Sequence, residues 1–393
     1  MKLYAQVGFG LGDKVNQGLS EGLIDGAIFS PKDLQLSTMM DRITAVRRDY
    51  PAADVFIDPQ FYTSIHAGSP NISLGKLPEW DFFREYRKGE LEVARNARVV
   101  IERCFDQVAQ MGVTGLISPN ILVSQSLDSR EAVIAKNFLR EAAEVHAARG
   151  GNLPLYASLV VCREALQDRA EFEEFINDIT MLDQALSGIY LIVAGRASDA
   201  RSDFFHTDVL ANWMLLNLSL SVNGIRVING YSDVISPFLG VAGGIAGATG
   251  WWSNLRMFSI GRFFPAGGGR QPRIRYLSKA LLNRLLSNEK QALEGFVPEI
   301  VNGLAHDADY SPEPERADEV LQTWEALRDL NSELVSEDMM TGLGNCRQAV
   351  ERARQAYASI AAAGLPLDAS SRDDHLDAME GALEQFATRA ELG

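Results

Sequence analysis

Cysteine is scarce in this 393-residue chain: only Cys104, Cys162 and Cys346 occur, far apart and without a C-x-x-C pairing. A disulfide framework is thereby excluded, and a reducing, cytoplasmic setting is expected. The histidines at 66, 146, 206, 306 and 375 are isolated, with no H-x-x-x-H spacing, so no metal site is expected even though His66 and His206 follow candidate strands. No G-x-S-x-G elbow or P-loop occurs, and the opening GFGLG is badly spaced for a dinucleotide fingerprint. No cofactor is expected. Long apolar runs are missing too. Residues 209–228 come closest, but Asn212, Asn217, Asn223 and Arg226 interrupt them, which reads as a buried helix followed by a strand and not as a membrane span.

Acidic residues are absent from one stretch, between Asp233 and Glu289, where Arg256, Arg262, Arg270, Arg273, Arg275, Lys279 and Arg284 all fall. The chain as a whole carries a net charge of −15, but residues 285–393 hold 22 acidic and 8 basic groups, leaving 30 and 29 for residues 1–284. A nearly neutral body with a local excess of +7 therefore precedes a −14 tail. The overall charge alone would have argued against anionic ligands.

Short runs rich in Val, Ile and aromatic residues recur at 3–9, 26–29, 54–57, 114–117, 155–161, 190–193, 226–228 and 245–248. Amphipathic segments lie between them, at 36–48, 90–111, 130–149, 171–186 and 207–222. Alternation of continuous apolar strands with helices implies a parallel sheet covered on both faces. Eight such units in about 250 residues predict an α/β fold of the (β/α)8-barrel type.

Two segments depart from a minimal barrel. Residues 61–88 form a long loop after the third run, ending in the aromatic cluster Trp80, Phe82, Phe83 and Tyr86, which reads either as a lid or as a surface excursion. After Arg275 the strand pattern stops, and helices are expected at 277–293, 317–340, 344–363 and 372–392. The expected organisation is a barrel over 1–284 and an acidic helical domain over 285–393.

Active sites of this fold lie at the carboxyl ends of the strands, so the residues there are the candidates. The third run ends Asp58-Pro59-Gln60, the fourth Ser118-Pro119-Asn120, the sixth Gly195-Arg196 and the seventh Asn229-Gly230-Tyr231-Ser232-Asp233. Asp58 in an apolar mouth would have a raised pKa and serve as base or nucleophile, with a turn or an arginine partner as its plainer role. Asp233 is the second candidate carboxylate, or else an N-cap for the helix beginning near Ser236. Asn229 and Tyr231 would orient substrate, with Gln60 and Asn120 lining it. Arg196 would bind an anion, or pair with Asp199 or Asp203 in its own loop. Cys162, also at a strand end, reads as structural.

The densest signal is WWSNLRMFSIGRFFPAGGGRQPRIRYLSK, residues 251–279, directly after the eighth run. Its cations alternate with aromatic residues around Gly267, Gly268 and Gly269. Loops after strands seven and eight commonly hold phosphate in this fold, and arginine forks match phosphate oxygens. Arg256, Arg262, Arg270 and Trp251 are the expected binding residues. Aromatic–arginine interleaving also suits single-stranded nucleic acid. The competing reading gives these arginines to the acidic tail, within the chain or from a second copy.

The segments GIYLIVAG, GIRVINGYSD and LGVAGGIAGATGWWSNLRMFSIGR are similar to the last barrel units of the tRNA-guanine transglycosylase superfamily. The resemblance implies a barrel with a nucleophilic aspartate that exchanges a base at a glycosidic bond. The family's eighth-strand aspartate is absent, that strand reading Ile245-Ala246-Gly247-Ala248-Thr249, and so is its cysteine-rich zinc motif. Only Asp58 or Asp233 would be left to take the nucleophile's place.

Together these readings describe an enzyme acting on a phosphate-bearing substrate, most simply a nucleotide or nucleic-acid moiety, with glycosidic-bond chemistry of a transglycosylase-like kind. The alternative is a barrel without chemistry, a subunit that binds nucleic acid or a protein. The acidic tail would then dock a partner or mediate self-association.

Overall fold

A computed structural model describes residues 1–10, 12–182, 186–197, 201–264, 272–310 and 313–392, with Arg201 and Asp309 described by backbone alone. Eight parallel positions form the barrel wall: β1 (Lys2–Gln6), β2 (Gly26–Phe29), β3 (Asp54–Ile57), β4 (Leu116–Ile117) continued by β5 (Leu122–Val123), β6 (Leu155–Cys162), β7 (Gly188–Gly195), β8 (Arg226–Gly230) and β9 (Ala246–Thr249). They pair in the order β3-β2-β1-β9-β8-β7-β6-β4, every pair parallel. The remaining seam is bridged at Thr114, whose N–H donates to the Val55 carbonyl at 2.9 Å while its Oγ1 accepts from the Val55 N–H at 2.7 Å. The fold is a (β/α)8 barrel.

The fourth barrel position is broken because Pro119 has no N–H to give. Asn120 substitutes for the ladder there. Its Nδ2 donates to the carbonyls of Ser158 and Ala135, and its Oδ1 accepts from Ile121 N–H. With the whole amide engaged on backbone, Asn120 has no role left as a substrate contact, which corrects that expectation.

The helix Thr207–Val222 is apolar nearly all round because it is covered on both sides, by the barrel and by the helix Leu376–Arg389. Among the described residues no helix is long and apolar enough to cross a membrane.

Beyond the barrel the chain differs from expectation at residues 277–293. Instead of one helix it forms a strand pair, β11 (Arg275–Ser278) against β12 (Asn283–Leu286), and then a short helix, Ser287–Leu293. The connecting turn holds Leu282 at φ 48°. A shorter strand, β10 (Phe258–Ser259), precedes this hairpin and extends the barrel wall by pairing with the end of β7. The helix Arg316–Leu334 packs on β11, on the barrel helix Ser236–Val241 and on Lys14–Ser20, where Trp324 lies directly over Gly18. Met339–Ala362 and Leu376–Arg389 complete the extension.

Candidate functional site

At the carboxyl end of β3, Asp58 is fully enclosed. Its Oδ1 accepts from the backbone N–H of Gln60 at 3.0 Å, and its Oδ2 accepts from the hydroxyls of Tyr62 at 3.0 Å and Tyr231 at 3.3 Å. Burial pushes the carboxyl up, these donors and the charge of Arg262 pull it back, and the balance is a pKa of about 6. Arg262 reaches over the mouth: Nη1 donates to the Tyr231 hydroxyl at 2.8 Å and Nη2 pairs with Asp33 at 3.2 Å. A chain of polar contacts thus runs from Asp33 through Arg262 and Tyr231 to Asp58. Burial and the Asp58 carboxylate raise the Tyr231 hydroxyl to about 12, so it remains a donor at neutral pH.

Backbone strain concentrates here. Gln60 (φ 52°), Tyr231 (φ 53°) and Asp233 (φ 37°) are left-handed without being glycine. Each such conformation costs roughly 1–3 kcal/mol and clusters at functional sites. Three buried N–H groups at the mouth, Gln6 Nε2, Gln60 Nε2 and Arg262 Nε, have no partner among the described residues. Such groups are rare in finished cores.

The mouth is covered. Phe258 of β10 packs edge-on against Tyr62 and at a tilt against Tyr231, with ring centroids 5.0 and 5.2 Å apart, and the Phe263 ring lies edge-on 6.0 Å from that of Tyr62. The loop after β3 fastens this cover, since Ser73 N–H donates to the Phe263 carbonyl at 2.5 Å. Lys32 Nζ also reaches the Arg262 carbonyl, at 2.8 Å.

Two residues along, the same strained turn faces the other way. Asp233 accepts from Thr249 Oγ1 at 2.8 Å and from Arg284 Nη2 at 2.7 Å. Burial alone would raise its pKa, but the charges of Arg284 and Arg256 hold it below the usual carboxylate range. Asp233 is therefore a fixed anion in an ion pair, neither free base nor N-cap.

Other expected site residues are also accounted for. Asn229 points to the helix layer, because β8 runs through Gly230 and side chains alternate along a strand. There its amide is exchanged with Asn217 and accepts from Trp213 Nε1 at 2.9 Å, so it does not orient substrate. Arg196 grips Asp203 through Nε and Nη2, at 2.9 and 2.5 Å. Trp251 is buried, its Nε1 donating to the Phe9 carbonyl at 2.8 Å. Arg256 pairs with Glu319 of the acidic extension. Arg270 and Gly267–Gly269 lie outside the described residues. The Cys162 thiol is pushed up to about 12 by burial and is no nucleophile at neutral pH. Among the described residues no group of three or more His, Cys, Asp or Glu is placed to hold a metal ion.

The basic stretch is largely consumed within the chain. Arg256, Lys279 and Arg273 pair with Glu319, Asp329 and Asp368 of the acidic extension, and Arg284 pairs with Asp233. Among the described residues of this stretch, Trp251, Phe258, Phe263 and Tyr276 are buried and so are not available to stack on bases, while Trp252 and Phe264 are partly exposed.

No family model and no curated protein matches the chain. Among solved structures it is similar to dihydrodipicolinate synthase from Oceanobacillus iheyensis, at 11% identity and TM-score 0.32 over 98% of this chain and 96% of that one. Dihydrodipicolinate synthase from Bacillus clausii is comparable, at 11% identity and TM-score 0.33 over 99% and 97%. A pyruvate carboxylase from Rhizobium etli gives 13% identity and TM-score 0.35 over 100% of this chain and 35% of that one. Likeness of this degree carries no argument about chemistry.

Several residues of the mouth escaped the sequence reading. Tyr62 belongs to a loop read by its length and its closing aromatic cluster, and Tyr190, whose hydroxyl donates to Gln6 Oε1 at 3.2 Å, lies in mid-strand. Asp33 follows the second strand within reach of Arg262. Position relative to the strand ends would have selected Asp33 and Tyr62; nothing in the sequence singles out Tyr190.

Proposed function

We propose that this chain is a (β/α)8-barrel enzyme acting on a phosphate-bearing substrate, with Asp58 moving a proton at the reacting centre. The supporting observation is the Asp58 carboxyl itself. It is enclosed at a strand's carboxyl end, poised at a pKa of about 6, held by two tyrosine hydroxyls and overlain by Arg262. Such a group can give or take a proton near neutrality. The phosphate reading draws on the arginines gathered behind the loops of the seventh and eighth barrel strands. A nucleotide or nucleic-acid moiety, which carries both a phosphate and a glycosidic bond, is the preferred substrate class. For glycosidic chemistry of the transglycosylase kind, Asp58 is the carboxylate in position to act, since Arg284 and Thr249 occupy Asp233.

The aromatic cover over the mouth favours a second reading, a barrel that binds a partner without turnover. Screening sugar phosphates and nucleotides by melting temperature, then assaying conversion of the hits, separates the two. The enzyme reading expects a hit that Asp58→Asn still binds but converts at least about a hundredfold more slowly. Hits converted undiminished by Asp58→Asn would refute the assignment, and no hit at any pH would favour the binding subunit.

A further inference from the structure

The C-terminal hairpin and Ser370 bound a half-open cavity of about 140 Å³ behind the loops of β8 and β9. Three arginines line it: Arg256 from the loop after β9, Arg275 from β11 and Arg284 from β12. Two carboxylates answer them. Asp233 pairs with Arg284 at 2.7 Å, and Glu319 pairs with Arg256 but is shared with Arg316. Among the described residues Arg275 has no carboxylate within ion-pair distance; its Nη2 donates to Ser370 Oγ at 2.7 Å. The nearby Asp368 is engaged by Ser370 and, at 3.7 Å, by Arg273.

The charges of Asp368 and Glu289 also act on Arg275, but both carboxylates are spent elsewhere, Asp368 on Ser370 and Arg273, and Glu289 on the N–H groups of Leu286 and Asp368 and the Ser371 hydroxyl. That leaves Arg275 as the half-buried guanidinium of the three without an ion-pair partner among the described residues. Burial makes Arg275 less basic than usual, with Arg284 and Arg256 adding to it and Asp368 and Glu289 opposing it; burial and Arg256 do the same to Arg284, against Asp233 and Glu319. A charge so placed is costly unless an anion answers it. One wall is apolar, formed by Phe205, Val234 and Met257, while Ser253 stands exposed at the rim.

We infer that this cavity is the phosphate subsite: a phosphoryl dianion is held between Arg256, Arg275 and Arg284, Arg275 supplying the main fork. This rests on the enzyme reading above and deepens it, because Arg275 and Arg284 belong to the C-terminal hairpin. The extension is then part of the site, and the barrel alone does not complete it. The turn Tyr231-Ser232-Asp233 serves both places: the Tyr231 hydroxyl donates to Asp58, and Asp233 lines the subsite.

The test uses the full chain at constant ionic strength, titrated with inorganic phosphate and separately with a pentose 5-phosphate, and read by melting temperature and calorimetry. Saturable binding of both is expected, weakened tenfold or more in Arg275→Gln and abolished in Ser253→Asp, which sets a carboxylate at the rim of the cavity. Arg275→Lys, retaining charge without the fork, should fall between. Absence of saturable binding by the unaltered chain, or equal dissociation constants for it and both Arg275→Gln and Ser253→Asp, would overturn the subsite. Binding should be intact in Asp58→Asn. Phosphate bound here with Asp58 dispensable for turnover would sink the enzyme reading alone, whereas Asp58-dependent turnover without phosphate binding would sink the subsite alone.

Discussion

Replacing Asp58 by Asn should make the protein more stable at neutral pH, by an amount set by the carboxyl's environment. The unfolded chain titrates this group at 3.8, whereas the folded chain holds it at about 6. Ionising it in the fold therefore costs roughly 1.36 kcal/mol per unit, or about 3 kcal/mol in all. The sign follows from linkage: the folded pKa is the higher one, so stability is full below about pH 4, falls as pH rises through the interval up to about 6, and stays low above it. Asparagine carries no charge; its Oδ1 can still accept from Gln60 N–H, and its Nδ2 can donate to a tyrosine oxygen once the two hydroxyl hydrogens turn to other acceptors. Urea unfolding of both proteins at about pH 4 and about pH 8 should show Asn ahead by about 3 kcal/mol at the higher value and level at the lower. For a chain of this length the gain is roughly 3–4 °C in melting temperature. A pH-independent difference, or a variant less stable at pH 8, would refute the reasoning.

Other perturbations have equally definite outcomes. Asp233→Ala leaves Arg284 buried and unpaired and should destabilise by about 3–5 kcal/mol in urea, while adding Arg284→Met should recover most of the loss. The Asp233 pKa is depressed, so its contribution should persist at neutral pH and disappear only as pH falls below the ordinary carboxylate range. Tyr231→Phe removes a donor from Asp58, and the carboxyl should titrate above its present value of about 6, as followed by carboxyl NMR. The full chain should show no salt-dependent retention of single-stranded RNA, since Trp251, Phe258, Phe263 and Tyr276 are buried and Arg256, Lys279 and Arg284 are engaged in ion pairs; a steep salt slope in a filter-binding assay would contradict this.

The fold was legible because barrel strands, buried on both faces, read as continuous apolar runs. All eight runs became strands. The tail was less transparent: Leu277, Leu281 and Leu285 have helical spacing, yet the segment forms a hairpin because β11 is covered by the helix Arg316–Leu334. Tertiary packing overrode local periodicity there. Asp58, Gln60 and Tyr231 could be placed together at the mouth from sequence because the fold gathers strand ends there. Asn229 was misread because strand β8 extends two residues past its apolar run, turning that side chain outward. Arg284 was visible only as charge, its partner Asp233 lying 51 residues away. Charge partition along the chain exposed both the basic stretch and the acidic segment that satisfies much of it, but pairing itself is a property of the folded chain.

The central claim is that Asp58 moves a proton. Once a phosphorylated substrate is identified by its effect on melting, the pH profile of kcat/KM tests that claim most directly. The account expects a limb near the carboxyl's value of about 6, displaced upward in Tyr231→Phe, and a rate at least about a hundredfold lower in Asp58→Asn. A profile without that limb, or one that Asp58→Asn leaves unchanged, would contradict it.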